Sequence, residues 1–239
     1  MRITLDEFKK RIEFSLCQQF ATEEDVREFC KKAVTTGVGV ACVNPVNVAL
    51  AAQLLGGDDI EISGNIGFPF GSHPTEVKAL ETEIAVEDGA TQIDMVMNIG
   101  ALKSGRDDLV QSDIEAVVRC AEGRVVKVII EAWVLNNEEK QRASRIVERA
   151  GAQLVKTSTG VRTQYLKMVN PDPRGAVVDD ILLIREVVSD QIRVKASGGI
   201  YSLDDTIAFL RAGADQLGVS KGAELIKEFG QRFPDGILI

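Results

Sequence analysis

The sequence contains few of the side chains that bind transition metals most often. It has one histidine, His73, among 239 residues, and its four cysteines lie far apart with no CxxC spacing. Zinc and iron sites rely largely on histidine and cysteine ligands, so an imidazole-based site for either metal is close to excluded. We expect no metal and no cofactor. Any catalysis then has to come from lysine, aspartate, glutamate, serine, threonine or backbone groups.

Long hydrophobic runs and an excess of positive charge are also missing. No apolar stretch approaches the roughly 18 residues of a membrane helix, and the acidic, amphipathic start of the chain is unlike a signal peptide. A net charge of −8 and a pI of about 4.9 argue against a broad nucleic-acid surface. Cysteines in or beside apolar runs are typical of reduced, structural thiols. We therefore expect a soluble, cytoplasmic protein that binds neither membranes nor nucleic acid.

Strand-like and helix-like segments alternate along the chain. Several of the strand-like runs are apolar at successive positions, as expected for parallel strands covered on both faces. The predicted strands are 11–16, 38–43, 60–67, 92–97, 125–132, 153–157, 192–196 and 216–219. Capping residues predict helix starts at Thr4, Thr22 and Ser202. The later predicted helices are approximately 75–88, 107–121, 137–150, 178–188, 203–212 and 222–229.

This alternation predicts a closed barrel. Gly89, Gly151 and Gly213 each begin a Gly-Ala pair that ends a helix and precedes a strand, and the three pairs are evenly spaced. No strand is followed by GxGxxG, which argues against a dinucleotide-binding sheet. We predict an α/β fold, a (βα)8 TIM barrel with a short N-terminal helix, as a single domain over 1–239.

Two lysines lie late in consecutive predicted strands. Lys156 belongs to VKTSTG and Lys195 to VKASGG, so each precedes a small hydroxyl residue and a glycine turn. A lone lysine in a strand is more often ion-paired or directed to solvent. Two on neighbouring barrel strands, about 4.8 Å apart, bring two ammonium groups together. Repulsion and burial lower a lysine pKa, so we predict that one amine is neutral near pH 7 and attacks a carbonyl to form an imine.

Acidic residues in predicted strands can complete this site. Asp94 lies between large apolar residues in IDMVMN, a context that favours a buried, paired carboxylate over an exposed one. We expect it to hold Lys195 charged and to transfer protons. Glu13, in the first strand, is a second acid that can join the network.

Glycine turns at the strand ends suggest an anion site. Their backbone N–H groups, near helix starts, suit a phosphate, and the run after the last strand adds a hydroxyl and a cation. Each glycine alone is more simply a turn, but together they favour phosphate. The candidate phosphate-binding residues are Gly160, Gly198, Gly199, Ser220 and Lys221.

These motifs resemble the 2-deoxyribose-5-phosphate aldolase family over roughly residues 11–226. The most specific stretches are LVKTSTG and VKASGGI. The other matching stretches are 41–45, 66–69, 75–78, 93–104 and 127–131. The resemblance implies a metal-independent class I aldolase that reversibly cleaves 2-deoxy-D-ribose 5-phosphate to acetaldehyde and D-glyceraldehyde 3-phosphate. By position, Lys156 matches the Schiff-base lysine, Lys195 the lysine that tunes it, and Asp94 the carboxylate of the proton relay.

Several positions depart from the family pattern. Glu13 stands where an aspartate is usual, Ala132 and Trp133 follow Glu131 where a threonine is common, and Lys221 replaces a second serine. Trp133 either narrows the pocket or packs outside it. The segment 161–175 is longer than expected and contains a predicted turn at 170–173, and no tyrosine follows Tyr201.

Three functions stay open on this basis. The first is cleavage of deoxyribose 5-phosphate, and the second is a related Schiff-base aldolase with a different phosphorylated sugar or aldehyde. The third is a non-catalytic barrel that binds a sugar phosphate, against which the three predicted catalytic residues argue. We also expect a homo-oligomer, a dimer or a tetramer.

Overall fold

The computed structural model describes residues 2–161 and 175–239. The strands are β1 (Arg2–Ile3), β2 (Ile12–Leu16), β3 (Val40–Val43), β4 (Glu61–Ile66), β5 (Gln92–Val96), β6 (Val125–Ile129), β7 (Leu154–Lys156), β8 (Arg193–Ser197), β9 (Gln216–Gly218) and β10 (Ile237–Leu238). The helices are α1 (Leu5–Arg11), α2 (Glu23–Thr36), α3 (Val48–Leu55), α4 (Thr75–Glu87), α5 (Ile99–Lys103), α6 (Asp107–Cys120), α7 (Asn137–Arg149), α8 (Val178–Arg185), α9 (Leu203–Arg211) and α10 (Gly222–Arg232). Short 3-10 helices cover Pro45–Asn47 and Ala132–Val134. The turn predicted at 170–173 lies outside the described residues.

Strands β2 to β9 form a closed parallel barrel in chain order, in which β9 pairs with β2. This confirms the predicted (βα)8 barrel, and α1 is the expected short N-terminal helix. All four residues of β3 are buried, as both faces of a barrel strand are covered. Because the strands are parallel, their carboxyl ends meet at one end of the barrel, where enzymes of this fold have their active sites.

The sequence pattern missed the elements that lack periodicity or length. Helix α3 has the nearly uniform apolar sequence VALAAQLL, so no amphipathic spacing marks it, and α5 has only five residues. Strands β1 and β10 pair antiparallel outside the barrel, Arg2 with Leu238, and two-residue strands are too short to be predicted. The predicted strand 125–132 ends early because Glu131 adopts a left-handed conformation with φ 49° and begins a 3-10 helix.

The predicted helix caps are present. The Thr4 and Thr22 hydroxyls accept hydrogen bonds from the backbone N–H three residues on, and the acidic residue there bonds back to the cap. Ser202 likewise accepts from the backbone of Asp205 at the start of α9. None of the helices in the described ranges has the length and hydrophobicity needed to cross a membrane.

A buried ion pair fixes helix α4 to the outside of the barrel. The Lys78 ammonium, fully buried, lies 2.6 Å from Asp113 Oδ2 and donates to the Val96 carbonyl at 2.9 Å. Asp113 also accepts from the Thr75 hydroxyl at 3.0 Å. Burial lowers the pKa of Lys78, although Asp113 opposes the shift. The pair connects α4, α6 and the end of β5.

We expect Lys78→Met to lower the free energy of unfolding by about 3 kcal/mol, because it leaves the Asp113 carboxylate buried without its cation. Lys103→Met removes an exposed lysine paired with Glu139 at 3.0 Å and is expected to cost less than about 1 kcal/mol. Urea unfolding followed by circular dichroism measures both. Equal, small effects of the two substitutions would contradict a structural role for the buried pair.

Candidate active site

A cavity of about 400 Å³ opens at the carboxyl ends of the barrel strands, a volume within the usual range for small-ligand sites. Its wall is built by the ends of β2, β7, β8 and β9 and the loops after them. The lining residues are Ser15, Cys17, Gln18, Gln19, Phe20, Phe68, Lys156, Thr159, Gly160, Val161, Ser197, Gly198, Gly199, Ile200, Tyr201, Gly218, Val219 and Ser220. Both predicted glycine turns therefore contribute to one cavity.

Lys156 is the one described lysine on the cavity wall. It is the last residue of β7 and pairs in register with Lys195 on β8, as the two matching motifs predicted. Lys195 lies deeper and is fully buried. Gly218 on β9 makes room for it, since a Cβ there would lie 2.7 Å from Ser197 Oγ and 3.5 Å from Lys195 Cε.

Five charged side chains meet in the barrel interior below the cavity, and we call them the ionic cluster: Glu13, Asp94, Lys127, Lys156 and Lys195. Asp94 Oδ2 lies 2.5 Å from Lys156 Nζ and 2.7 Å from Lys195 Nζ. Its other oxygen, Oδ1, lies 2.8 Å from Lys127 Nζ and accepts from the Ser63 hydroxyl at 2.9 Å. Glu13 bonds Lys127 at 2.7 Å and also contacts Lys195. The structure thus brings all four predicted catalytic residues together.

Lys127 is the member of the cluster that sequence reasoning missed. It lies in the middle of β6, in the apolar run VVKVI, and is fully buried. It pairs in register with Asp94 on β5. The signal was the one that identified Lys156 and Lys195, a lysine inside an apolar strand, but no glycine turn follows it directly.

The cluster contains three ammonium groups and two carboxylates when all five side chains are charged. Burial favours the neutral form of each group, yet opposite charges outweigh it for most of them. The pKa of Asp94 is held well below its usual range by the three lysines, and the pKa of Glu13 is also lowered. Asp94 and Glu13 raise the pKa values of Lys127 and Lys156 against the effect of burial.

Lys195 is the exception. Burial lowers its pKa to about 8, and although Asp94 and Glu13 oppose the shift, repulsion from Lys127 and Lys156 adds to it. These directions are the reverse of the expected ones, in which Asp94 keeps Lys195 charged and Lys156 is the amine of low pKa. Burial lowers the Lys195 pKa most, and repulsion from Lys127, which the sequence prediction left out, adds to the shift.

The predicted phosphate-binding residues separate into two groups. Gly160, Gly198, Gly199 and Ser220 all line the cavity, as expected. Lys221 does not belong to its lining and is exposed immediately before α10. The structure therefore does not bring Lys221 into the cavity wall with the other four residues.

Two glycines in this wall approach each other closely. Gly160 and Gly198 have φ values of 78° and 84°, a region that favours glycine. A Cβ on Gly198 would lie 3.3 Å from the Gly160 Cα. Both loop backbones thus reach the cavity without intervening side chains, as an anion site made of N–H groups requires.

Other residues contribute that were not predicted. Thr159 lines the cavity and its hydroxyl donates to Glu131 Oε2 at 2.7 Å. Cys17 also lines it, and its sulfur accepts from Asn65 Nδ2 at 3.0 Å, while Cys42 donates to Asn65 Oδ1 at 3.3 Å. All four cysteines are free thiols, as expected. Trp133 is buried and is not part of the cavity lining, so it packs outside the pocket.

One group of side chains offers metal-ligand atoms. Glu13, Cys42 and Asp94 have potential ligand atoms within 4.8 Å of one another. Both carboxylates are already bound by lysine ammonium groups at hydrogen-bonding distance. A divalent cation would have to displace these ammonium groups, so the donor set suits ion pairs better than a metal.

The closed barrel with a lysine-containing cavity at its carboxyl end defines an α/β-barrel enzyme. A family model described as DeoC/LacD family aldolase matches residues 8–227. The chain belongs to this aldolase family. It is 44% identical over 219 residues to a deoxyribose-phosphate aldolase of Geobacillus sp. strain WCH70, covering 91% of this chain and 94% of that protein.

Two solved structures of aldolases are similar to this chain in sequence and in fold. The structure described as QR15, an aldolase, superposes with a TM-score of 0.86 at 36% identity and covers 95% of this chain and 97% of its own. The deoxyribose phosphate aldolase of Aeropyrum pernix, described as having a unique tetrameric structure, gives a TM-score of 0.84 at 31% identity, over 96% of this chain and 93% of its own.

Proposed function

We propose that this chain cleaves 2-deoxy-D-ribose 5-phosphate reversibly to acetaldehyde and D-glyceraldehyde 3-phosphate, with Lys156 as the Schiff-base lysine. The Geobacillus and Aeropyrum pernix relatives are named deoxyribose-phosphate aldolases, and QR15 is described as an aldolase. The observation that carries the proposal is the position of Lys156, on the cavity wall and 2.5 Å from the carboxylate oxygen that Lys195 also contacts. Lys195 and Lys127 lie below the wall and cannot reach a substrate carbonyl as directly.

The shared oxygen supplies a path for activating the amine. When Lys195 is neutral, Asp94 Oδ2 can accept the proton of Lys156 and pass it to the Lys195 amine. This transfer is uphill, because the pKa of Lys156 is raised and that of Lys195 is lowered, and attack of the transient free amine on the carbonyl draws it forward. Lys156 then adds to C1 of the open-chain sugar, and the carbinolamine loses water to give an iminium. The C2–C3 bond breaks as the C3 hydroxyl loses its proton. The electron pair forms an enamine, and protonation at C2 followed by hydrolysis releases acetaldehyde.

The phosphate would bind at the glycine-rich part of the cavity wall. We assign it to the backbone N–H groups of Gly160, Gly198 and Gly199 and to the Ser220 hydroxyl, which all line the cavity. Exposed Lys221 would raise the local positive potential of an otherwise acidic protein. Glu13 would act from within the cluster by holding Lys127 and Lys195.

Borohydride trapping tests this function. The wild type is incubated with acetaldehyde and borohydride, and the modified residue is mapped by mass spectrometry, while cleavage of deoxyribose 5-phosphate is assayed in parallel. We expect a reduced adduct on Lys156 and measurable cleavage. No adduct would contradict any Schiff-base aldolase, whereas an adduct without cleavage would indicate a related aldolase with a different phosphorylated sugar or aldehyde.

We also propose that the chain, as one barrel domain over 1–239, is a cytoplasmic homo-oligomer, a dimer or a tetramer. Helix α4 exposes Val77, Leu80 and Ile84 by 46%, 56% and 46%. Their i, i+3, i+7 spacing puts them on one side of the helix. Contiguous apolar surface of this kind is typical of protein contacts, and the Aeropyrum pernix relative is described as tetrameric. The free cysteines suit a reducing compartment.

Light scattering tests the oligomer. We expect the wild type to have a multiple of the 25.9 kDa chain mass, and Leu80→Glu to reduce that mass because it puts a charge in the contact. Leu182→Glu, at a residue 47% exposed on α8, is the matched control and should leave the mass unchanged. A monomeric wild type would contradict the proposal, and an unchanged mass in Leu80→Glu would exclude the α4 surface.

A further inference from the structure

A buried glutamate beside the cavity has no part in the ionic cluster. Glu131 follows β6, is 6% exposed, and has φ 49° and ψ 60°. A left-handed conformation is unfavourable for a residue other than glycine by about 1–2 kcal/mol, and such residues concentrate at functional sites. The backbone on each side is fixed by β7, since Ile130 N–H donates to Lys156 O at 3.0 Å and Ala132 N–H to Thr157 O at 2.8 Å.

The Glu131 side chain is directed at the cavity wall. Its Oε2 accepts from the Thr159 hydroxyl at 2.7 Å and from the Thr159 N–H at 3.3 Å. Its other oxygen, Oε1, is buried and has no hydrogen-bond partner among the described residues. Burial raises the pKa of Glu131, while the Thr159 bonds and the Lys156 charge act in the opposite direction.

These contacts determine what the Thr159 hydroxyl can offer to a ligand. A hydroxyl has one proton to donate and two lone pairs to accept with. The proton is used by Glu131, and one lone pair accepts from Val161 N–H at 3.1 Å. Thr159 lines the cavity beside Lys156, so the remaining lone pair can only accept a hydrogen bond from a bound molecule.

We propose that Glu131 is a positioning residue that fixes Thr159 as a hydrogen-bond acceptor and thereby selects aldehydes that carry a hydroxyl near the carbonyl. The inference rests on the proposed function in that the aldehyde is held as an imine on Lys156. It deepens that function by assigning hydroxyl recognition to Thr159 and the orientation of Thr159 to Glu131, which itself touches no substrate. The left-handed backbone at Glu131 is what turns its carboxyl from the strand direction toward Thr159.

The test compares two aldehydes that differ by one hydroxyl, 3-hydroxybutanal and butanal, in borohydride trapping on Lys156. We expect the wild type to be half-saturated at an about tenfold lower concentration of 3-hydroxybutanal, the effect of one hydrogen bond. Because the proposed reaction cleaves the C2–C3 bond of this aldehyde, its own reduced adduct and the ethyl adduct of the acetaldehyde released are distinguished by mass and counted together. Glu131→Ala and Thr159→Val should each abolish the preference, and the double substitution should add nothing further. Glu131→Gln keeps an oxygen that can accept the Thr159 proton, and Thr159→Ser keeps the hydroxyl. Both variants should therefore show the wild-type preference for 3-hydroxybutanal.

The outcomes separate this inference from the function on which it rests. A wild type that forms no adduct with either aldehyde contradicts the imine itself and the inference with it. A wild type that traps both aldehydes equally well contradicts only hydroxyl selection. A preference that survives in Glu131→Ala overturns the role of Glu131. If Glu131→Ala reduced the trapping of butanal as much as the trapping of 3-hydroxybutanal, the substitution would have disturbed Lys156 itself. Glu131 would then have only a structural role.

Discussion

Lys156→Ala is expected to reduce deoxyribose 5-phosphate cleavage by at least about 10⁴-fold, the usual size of the loss when a covalent nucleophile is removed. No other described lysine lines the cavity, so none of the described lysines is placed to take over imine formation. The measurements are the cleavage rate and borohydride trapping with acetaldehyde, and both should fall to background.

The charge balance of the ionic cluster makes this substitution informative. Without Lys156, two ammonium groups still face two carboxylates, so the buried charges balance. The raised pKa of Lys156 means that its charge stabilises the folded state, so we expect the free energy of unfolding to fall by about 1–3 kcal/mol with the fold retained. Lys156→Arg is the matched control, because a guanidinium keeps the charge but does not form an imine. Cleavage by either variant above about 1% of the wild-type rate would show that another residue is the nucleophile.

The barrel itself was predictable from the sequence, for a physical reason. A parallel strand buried on both faces reads as an apolar run, and the intervening helices show one apolar side, so the eight βα units could be counted directly. Helix α3 escaped because VALAAQLL has no polar side. The pairing of Arg2 with Leu238 escaped because it depends on where the two chain ends meet in space.

The sequence predicted which residues form most of the candidate site, but not how their pKa values shift. Glu13, Asp94, Lys156 and Lys195 were identifiable as charged residues in apolar strands, and they do meet. The direction of the pKa shifts was not, because it depends on which carboxylate oxygen each lysine contacts and on the third cation, Lys127. Equally, the role proposed for Glu131 depends on the left-handed conformation of its own backbone, which strand periodicity does not reveal.

Lys195→Leu is expected to reduce imine formation at pH 7 by about 10³-fold, within the range for loss of a general base. In the wild type, the pKa of Lys195 is about 8, so the neutral amine that accepts the Lys156 proton becomes more abundant as the pH rises through this value. The rate of imine formation should therefore increase from pH 6 to pH 9. In the variant, Asp94 has no neutral amine to which it can pass the proton, and Lys156 stays charged. Residual trapping should appear only at raised pH, when solvent hydroxide removes that proton.

Lys127→Met separates the proton path from the charge balance. It removes one ammonium group, as Lys195→Leu does, but Lys127 contacts Asp94 Oδ1, while Lys156 and Lys195 share Oδ2. The path through Oδ2 stays intact, and only the repulsion that helps to lower the Lys195 pKa is lost. We therefore expect Lys127→Met to shift the pH profile of trapping toward alkaline pH and to keep the wild-type maximum, whereas Lys195→Leu lowers the maximum itself. Identical profiles for the two variants would mean that net charge alone tunes Lys156, and a normal rate for Lys195→Leu at pH 7 would exclude the relay.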